Sequence, residues 1–86
     1  MRFYRVKAII FNGNDEVLWA ATFKDAKDTV KIVRNRADDI EVDLVEVATN
    51  TKGILKLLTF DPSGENWPIV RTWTVTPRGG LKEVKP

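Results

Sequence analysis

Residues 2–25, "RFYRVKAIIFNGNDEVLWAATFKD", decide the fold. Tyr4, Val6, Ala8 and Ile10 fall on one side of an extended chain, and Phe3, Arg5, Lys7, Ile9 and Phe11 on the other. This is the period-two pattern of a strand with one core face and one mixed face. "NGND", Asn12 to Asp15, supplies residues that tolerate positive φ, and a second alternating run of Val17, Trp19, Ala21 and Phe23 follows it. The spacing predicts a β-hairpin. Thr22 and Asp25, three apart, resemble a capping box, in which hydroxyl and carboxylate satisfy unpaired amides at a helix start. A helix is therefore expected from Phe23 or Lys24.

Working outward, Ala26, Val30, Val33 and Ala37 step by four, three and four, a narrow stripe suited to packing on a sheet. Lys24, Lys27, Lys31 and Arg34 then face solvent, with Asp28 interspersed. "DDIEVDLVEVA" reads as a third strand, in which Ile40, Val42 and Leu44 alternate with Glu41 and Asp43 and the pattern changes face near Leu44–Val45, as a bulge would make it. "TNTKGILKLLTF" places Thr49, Asn50 and Thr51 before Ile54, Leu55, Leu57 and Leu58, the order of a short capped helix, although Gly53 weakens its first turn. "DPSG", Asp61 to Gly64, suits a type I turn. A strand from Ile69 to Thr76 follows, ended by Pro77. Its sides are Ile69, Arg71, Trp73 and Val75, and Val70, Thr72 and Thr74. Gly79-Gly80 allows "LKEV" to fold back as a fifth strand or to trail as a tail. The expected fold is one α+β domain over residues 1–86, with 77–86 a short hairpin or tail. The order β-β-α-β-α-β(-β) implies a mostly antiparallel sheet of four to five strands with both helices packed on one face.

Composition narrows the function. With 43% apolar and 30% charged residues in 86, the chain is globular and lacks the roughly 20-residue apolar span of a membrane helix. Its first residues read as a folded strand and not as a signal peptide, so a cytoplasmic location is expected. Fourteen basic and 12 acidic side chains leave a net charge of +2, but the charges are sorted. Both ends are basic, and 38–46 carries Asp38, Asp39, Glu41, Asp43 and Glu46 with no base. A domain this small buries only about 60–65% of its unfolded surface, so a homo-oligomer is an open option.

Histidine and cysteine are both absent. That removes the usual general base, thiolate nucleophiles, disulfides and the common metal-ligand sets, so no enzyme, no cofactor and no metal site is expected. The acids of 38–46 lack the spacing of a calcium loop and read as a solvated or cation-paired strand. "NGND" lacks the lysine and the glycine spacing of a phosphate loop.

Binding is what remains. Arg5 and Lys7 with Phe3 on one strand, and Arg71 with Trp73 on another, make a basic aromatic sheet face if the two strands align, the kind of surface used for single-stranded nucleic acid. Trp67, Arg71, Trp73, Arg78 and Lys82 cluster near the C-terminal end, as the aromatic and arginine anchors of a protein interface do. Trp73 lies on the more apolar side of its strand, which favours a core position for it. Size, the lack of a catalytic set, the strand-helix-strand order and the Leu-rich "TKGILKLL" give a chain that resembles, in general style, small bacteriophage-encoded accessory proteins. That resemblance carries no site residues and implies binding of a host or viral macromolecule. The reading is a non-enzymatic binding protein acting by surface complementarity on a protein partner, with single-stranded nucleic acid as the alternative. Candidate contact residues are Arg5, Lys7, Trp67, Arg71, Trp73, Arg78 and Lys82.

Overall fold

β1 (Arg2–Ile9) is the strand around which the sheet is built. In the computed structural model, which describes residues 1–62, 64 and 66–84, β2 (Glu16–Ala20) runs antiparallel along one side of β1 and β3 (Asp39–Glu46) along the other. β4 (Ile69–Val75) and β5 (Leu81–Val84) extend the sheet beyond β3, giving five antiparallel strands in the order β2-β1-β3-β4-β5. The α+β class, the element order and both hairpins follow the sequence expectation. "LKEV" does fold back as β5; Lys85 lies outside the described residues.

Register sorts the side chains onto two faces. Val6 stands beside Leu18 and Val42, and Val42 beside Trp73, on one face. On the other, Trp19, Arg5, Asp43, Thr72 and Val84 form one cross-strand row, and Val17, Lys7, Glu41, Thr74 and Lys82 the next. α1 (Phe23–Val33) covers the first face over β1 and β2. Thr22 Oγ1 accepts the Asp25 N–H at 3.1 Å, capping the helix start as expected. Ala26, Val30 and Val33 meet Val6, Ala8, Ala20, Ile40 and Val42, all buried. Small and β-branched side chains on both surfaces let helix and sheet approach closely, and each fully buried Val contributes about 1.5–3 kcal/mol. Tyr4, Phe23 and Trp73 close the end of this core with ring centroids 5.1–6.0 Å apart, which places Trp73 on the helix side.

Three details depart from the expectation. The 10–15 connection does not use positive φ: among the described residues only Gly79 has it, at +87°. The reversal is spread over a longer loop, in which Ile10 N–H donates to Asp15 Oδ1 and Gly13 N–H to the Ile10 carbonyl, so no residue has to turn left-handed. A register shift falls between Leu44 and Val45, with Val45 facing Ile69 and Leu44 facing Arg71. The bulge therefore removes Ile69 from the side of Arg71 and Trp73.

The third departure is α2 (Thr51–Leu57), capped by Asn50 Oδ1 on the Gly53 N–H at 2.8 Å. It does not join α1. It stands at the end of the sheet, where Leu57 meets Phe3 and Trp19 on the opposite face. The short link from β3 holds it there, and Gly53 packs so tightly that an added Cβ would collide with the Ala48 carbonyl.

Candidate functional site

The face away from α1 is organised by a buried ion pair. Arg5 retains 1% of its exposure and Asp43 none. Arg5 Nε and Nη2 both donate to Asp43 Oδ2, at 3.1 and 2.8 Å, and Thr72 Oγ1 donates to Asp43 Oδ1 at 2.9 Å. Nη1 reaches out of the sheet to the carbonyls of Pro62 and Gly64, at 3.1 and 2.6 Å. A guanidinium with a fixed fork of donors can hold a carboxylate and a loop together. Arg5 thus straps the segment after α2 across the sheet. In that segment Gly64 N–H donates to the Asp61 carbonyl at 2.9 Å, closing the expected turn; Ser63 lies outside the described residues.

The strap brings Trp67 over Arg5, with 5.9 Å from guanidinium to ring centroid, and into contact with other rings. Trp67 lies 5.0 Å from Trp19, 4.9 Å from Phe60 and 6.4 Å from Phe3 between centroids, while Phe3 meets Trp19 edge-on at 5.4 Å. Trp67 Nε1–H donates to the Asp61 carbonyl at 2.7 Å, fixing its ring. Phe3, Trp19, Trp67, Leu57, Ala20 and Ala21 line an open cleft of about 440 Å³, with no charged side chain among the described residues of its wall. It opens beside β2, an edge strand of the sheet.

α2 borders this cleft through Leu57. It buries none of its residues, and Ile54, Leu55 and Leu58 remain 49%, 57% and 78% exposed. Trp19 is 45% exposed. Aliphatic side chains on a short helix beside a partly open aromatic cleft form an apolar area of the kind that marks interaction sites.

The acids of 38–46 are engaged one by one. Asp43 holds Arg5, Glu46 pairs with Arg2 at 3.2 Å, Asp38 accepts the Phe11 N–H at 2.7 Å and Asp39 the Ile40 N–H at 2.9 Å. Glu41 lies 4.0 Å from Arg5, yet its pKa is raised above 4.5, chiefly by desolvation and then by the neighbouring Asp43 carboxylate.

The candidate contact residues divide between the two faces. Arg5 is a correction: it is an internal strut, because Asp43 and two carbonyls use its donors and Trp67 covers it. Lys7 is half-buried and Lys82 exposed in the same row of that face, and Trp67 lies in the cleft. Arg71 and Trp73 belong to the helix side, where Arg71 Nε is 3.5 Å from Glu83, and Arg78 stands exposed at the β4–β5 turn. The alignment of Arg71 and Trp73 with Phe3 and Arg5 does not occur, since register places them on opposite faces. Trp19, Leu57 and Leu58 were not singled out from sequence. The available signal was four aliphatic residues in "GILKLL", more than so short a helix can bury. No described helix is long and apolar enough to cross a membrane. Comparison with protein-family models, curated proteins and solved structures finds no match.

Proposed function

We propose that this chain is a protein-binding domain whose docking surface is the Phe3–Trp19–Trp67 cleft together with the exposed stripe of α2. The observation that carries the reading is α2 itself: a helix with Ile54, Leu55, Leu57 and Leu58 that buries none of them, standing beside an open aromatic cleft. Its partner is expected to present apolar side chains, because the described residues of the cleft wall offer no charge to a phosphate or carboxylate. Full burial of a Leu or Ile side chain stabilises by about 1.5–3 kcal/mol, so covering the exposed α2 residues offsets part of the cost of association. Arg5 acts indirectly, by holding the Pro62 and Gly64 carbonyls and stacking on Trp67, so that Trp67 is already in place before a partner arrives. The basic, aromatic open face needed for single-stranded nucleic acid is less well supported, since Arg5 is internal and Trp73 lies on the other side.

The test is parallel capture from native cell extract, with and without nuclease treatment, with wild-type bait and with a Trp19→Ala/Leu58→Ser variant whose fold is checked by circular dichroism. A specific protein retained by wild type and lost by the variant is expected. Equal capture by both baits, or recovery that disappears with nuclease, contradicts the proposal.

A further inference from the structure

The helix side carries a second surface of opposite character. α1 lies over β1 and β2, and a groove opens between it and the β4–β5 hairpin, with Val30 and Leu81 in its lining. Lys24, Lys27 and Lys31 line it from the helix, and the Gly79-Gly80 backbone borders it from the hairpin, around about 250 Å³ of open space. Arg34 continues the row: its guanidinium rests against Gly79, where an added Cβ would strike it. Positions 24, 27, 31 and 34 repeat by three and four, so the cations form one flank about 15 Å long at 1.5 Å per residue.

Among the described residues these cations are held in no ion pair, although Lys27 Nζ lies 5.4 Å from the Phe23 ring centroid and Arg34 shares a pocket wall with Asp38 and Asp39. Arg2, Arg5, Arg36 and Arg71 each stand within 4.0 Å of a carboxylate, whereas Arg34, Arg78 and every lysine among the described residues make no ion pair; what sets Lys24, Lys27, Lys31 and Arg34 apart is that they share one helix flank. Asp28 borders the groove and still does not close on a lysine. Interfaces with proteins are depleted in lysine and built on buried apolar anchors, whereas a row of lysines and arginines suits a regularly charged phosphodiester chain.

We propose that this groove binds the phosphate backbone of nucleic acid without reading its bases, through Lys24, Lys27, Lys31 and Arg34. Contacts of this kind position a strand and carry no sequence information. The inference is independent of the protein-binding cleft, which lies on the other face of the sheet, and together the two surfaces would let the domain bridge a protein to a nucleic acid.

Fluorescence anisotropy with a labelled single-stranded oligonucleotide of mixed sequence, titrated across salt concentrations, tests it. Four phosphate contacts at a single-strand slope of about −0.7 each give about −2.8, an affinity loss of roughly 50-fold between about 50 and 200 mM salt. Lys24→Ala/Lys31→Ala, at two exposed helix positions, is expected to cut the slope to about −1.4, roughly a sevenfold loss over the same range. Lys24→Arg/Lys31→Arg should keep the steep slope and Trp19→Ala should bind as wild type, with melting temperatures confirming that each variant folds. No binding at low salt, an unchanged slope in the alanine variant, or equally tight binding of poly-glutamate overturns the proposal; the last result would make the groove a docking site for an acidic protein.

Discussion

Changing Asp43 to Ala should be the most damaging single substitution on the face away from α1. It leaves Arg5, 1% exposed, with a charge and two donors unmatched in a site walled by Trp67, and it strands the Thr72 hydroxyl. Breaking a buried pair by removing one partner costs about 3–5 kcal/mol. Glu41, 4.0 Å from the guanidinium, can move in as a substitute counter-ion, which places the expected loss near the lower end, about 3 kcal/mol. Urea unfolding followed by tryptophan fluorescence measures it. Asp43→Ala/Glu41→Gln, with no carboxylate near Arg5, should lose more than the sum of its parts. Arg5→Met/Asp43→Leu should regain most of the stability, because an apolar pair needs no compensation. That double variant should nevertheless loosen the hold on Pro62, Gly64 and Trp67, since the bonds to the Pro62 and Gly64 carbonyls are gone. A loss below about 1 kcal/mol for Asp43→Ala, the level of an exposed pair, would refute the strut.

Glu41→Gln should raise the melting temperature at about pH 7 and leave it unchanged below about pH 4. The folded-state pKa is raised, so the native protein binds more protons than the unfolded chain and wild-type stability falls as pH rises through that pKa. A gain that grows toward low pH would contradict the assignment. Gly53→Ala, which helix propensity alone scores as a gain of about 1 kcal/mol, should instead destabilise by about 1–3 kcal/mol, because its Cβ would press on the Ala48 carbonyl. Thermal unfolding decides the sign. Gly79→Ala should also lower the melting temperature, since φ is +87° and Arg34 lies over the turn, whereas Gly13→Ala should cost less, since its φ is not positive and the added Cβ would press only on the Ile10 side chain, at 3.2 Å.

Elements whose side chains obey one period were legible in the sequence. Tyr4, Val6 and Ala8 alternate cleanly, Ala26, Val30 and Val33 keep a helical step, and both meet in the core they imply. Thr22 announces α1 because the capping bond is local. What was hidden depends on contacts distant in sequence. Arg5 reads as a surface cation until Asp43, 38 residues away, and the carbonyls of Pro62 and Gly64 enclose it. The bulge at Leu44/Val45 was visible as a break in alternation, but its effect on Ile69 required the partner strand. α2 was legible as a helix and misplaced as a layer, because its four aliphatic residues suggested a buried face that the structure does not provide. The cleft was missed for the same reason: Phe3, Trp19 and Trp67 come from three separate segments, gathered by the Arg5 strap.

The three tryptophans place a reporter on each side of the sheet, Trp19 and Trp67 in the cleft and Trp73 against α1. Their indole N–H resonances in a ¹⁵N-labelled sample, titrated with the protein partner recovered by nuclease-treated capture, give the most direct test of the docking surface. The Trp19 and Trp67 signals should shift and saturate together with the backbone amides of Leu55 to Leu58, while Trp73 stays in place. Saturable shifts confined to Trp73 and the lysines of α1, with Trp19 and Trp67 unmoved, would contradict it.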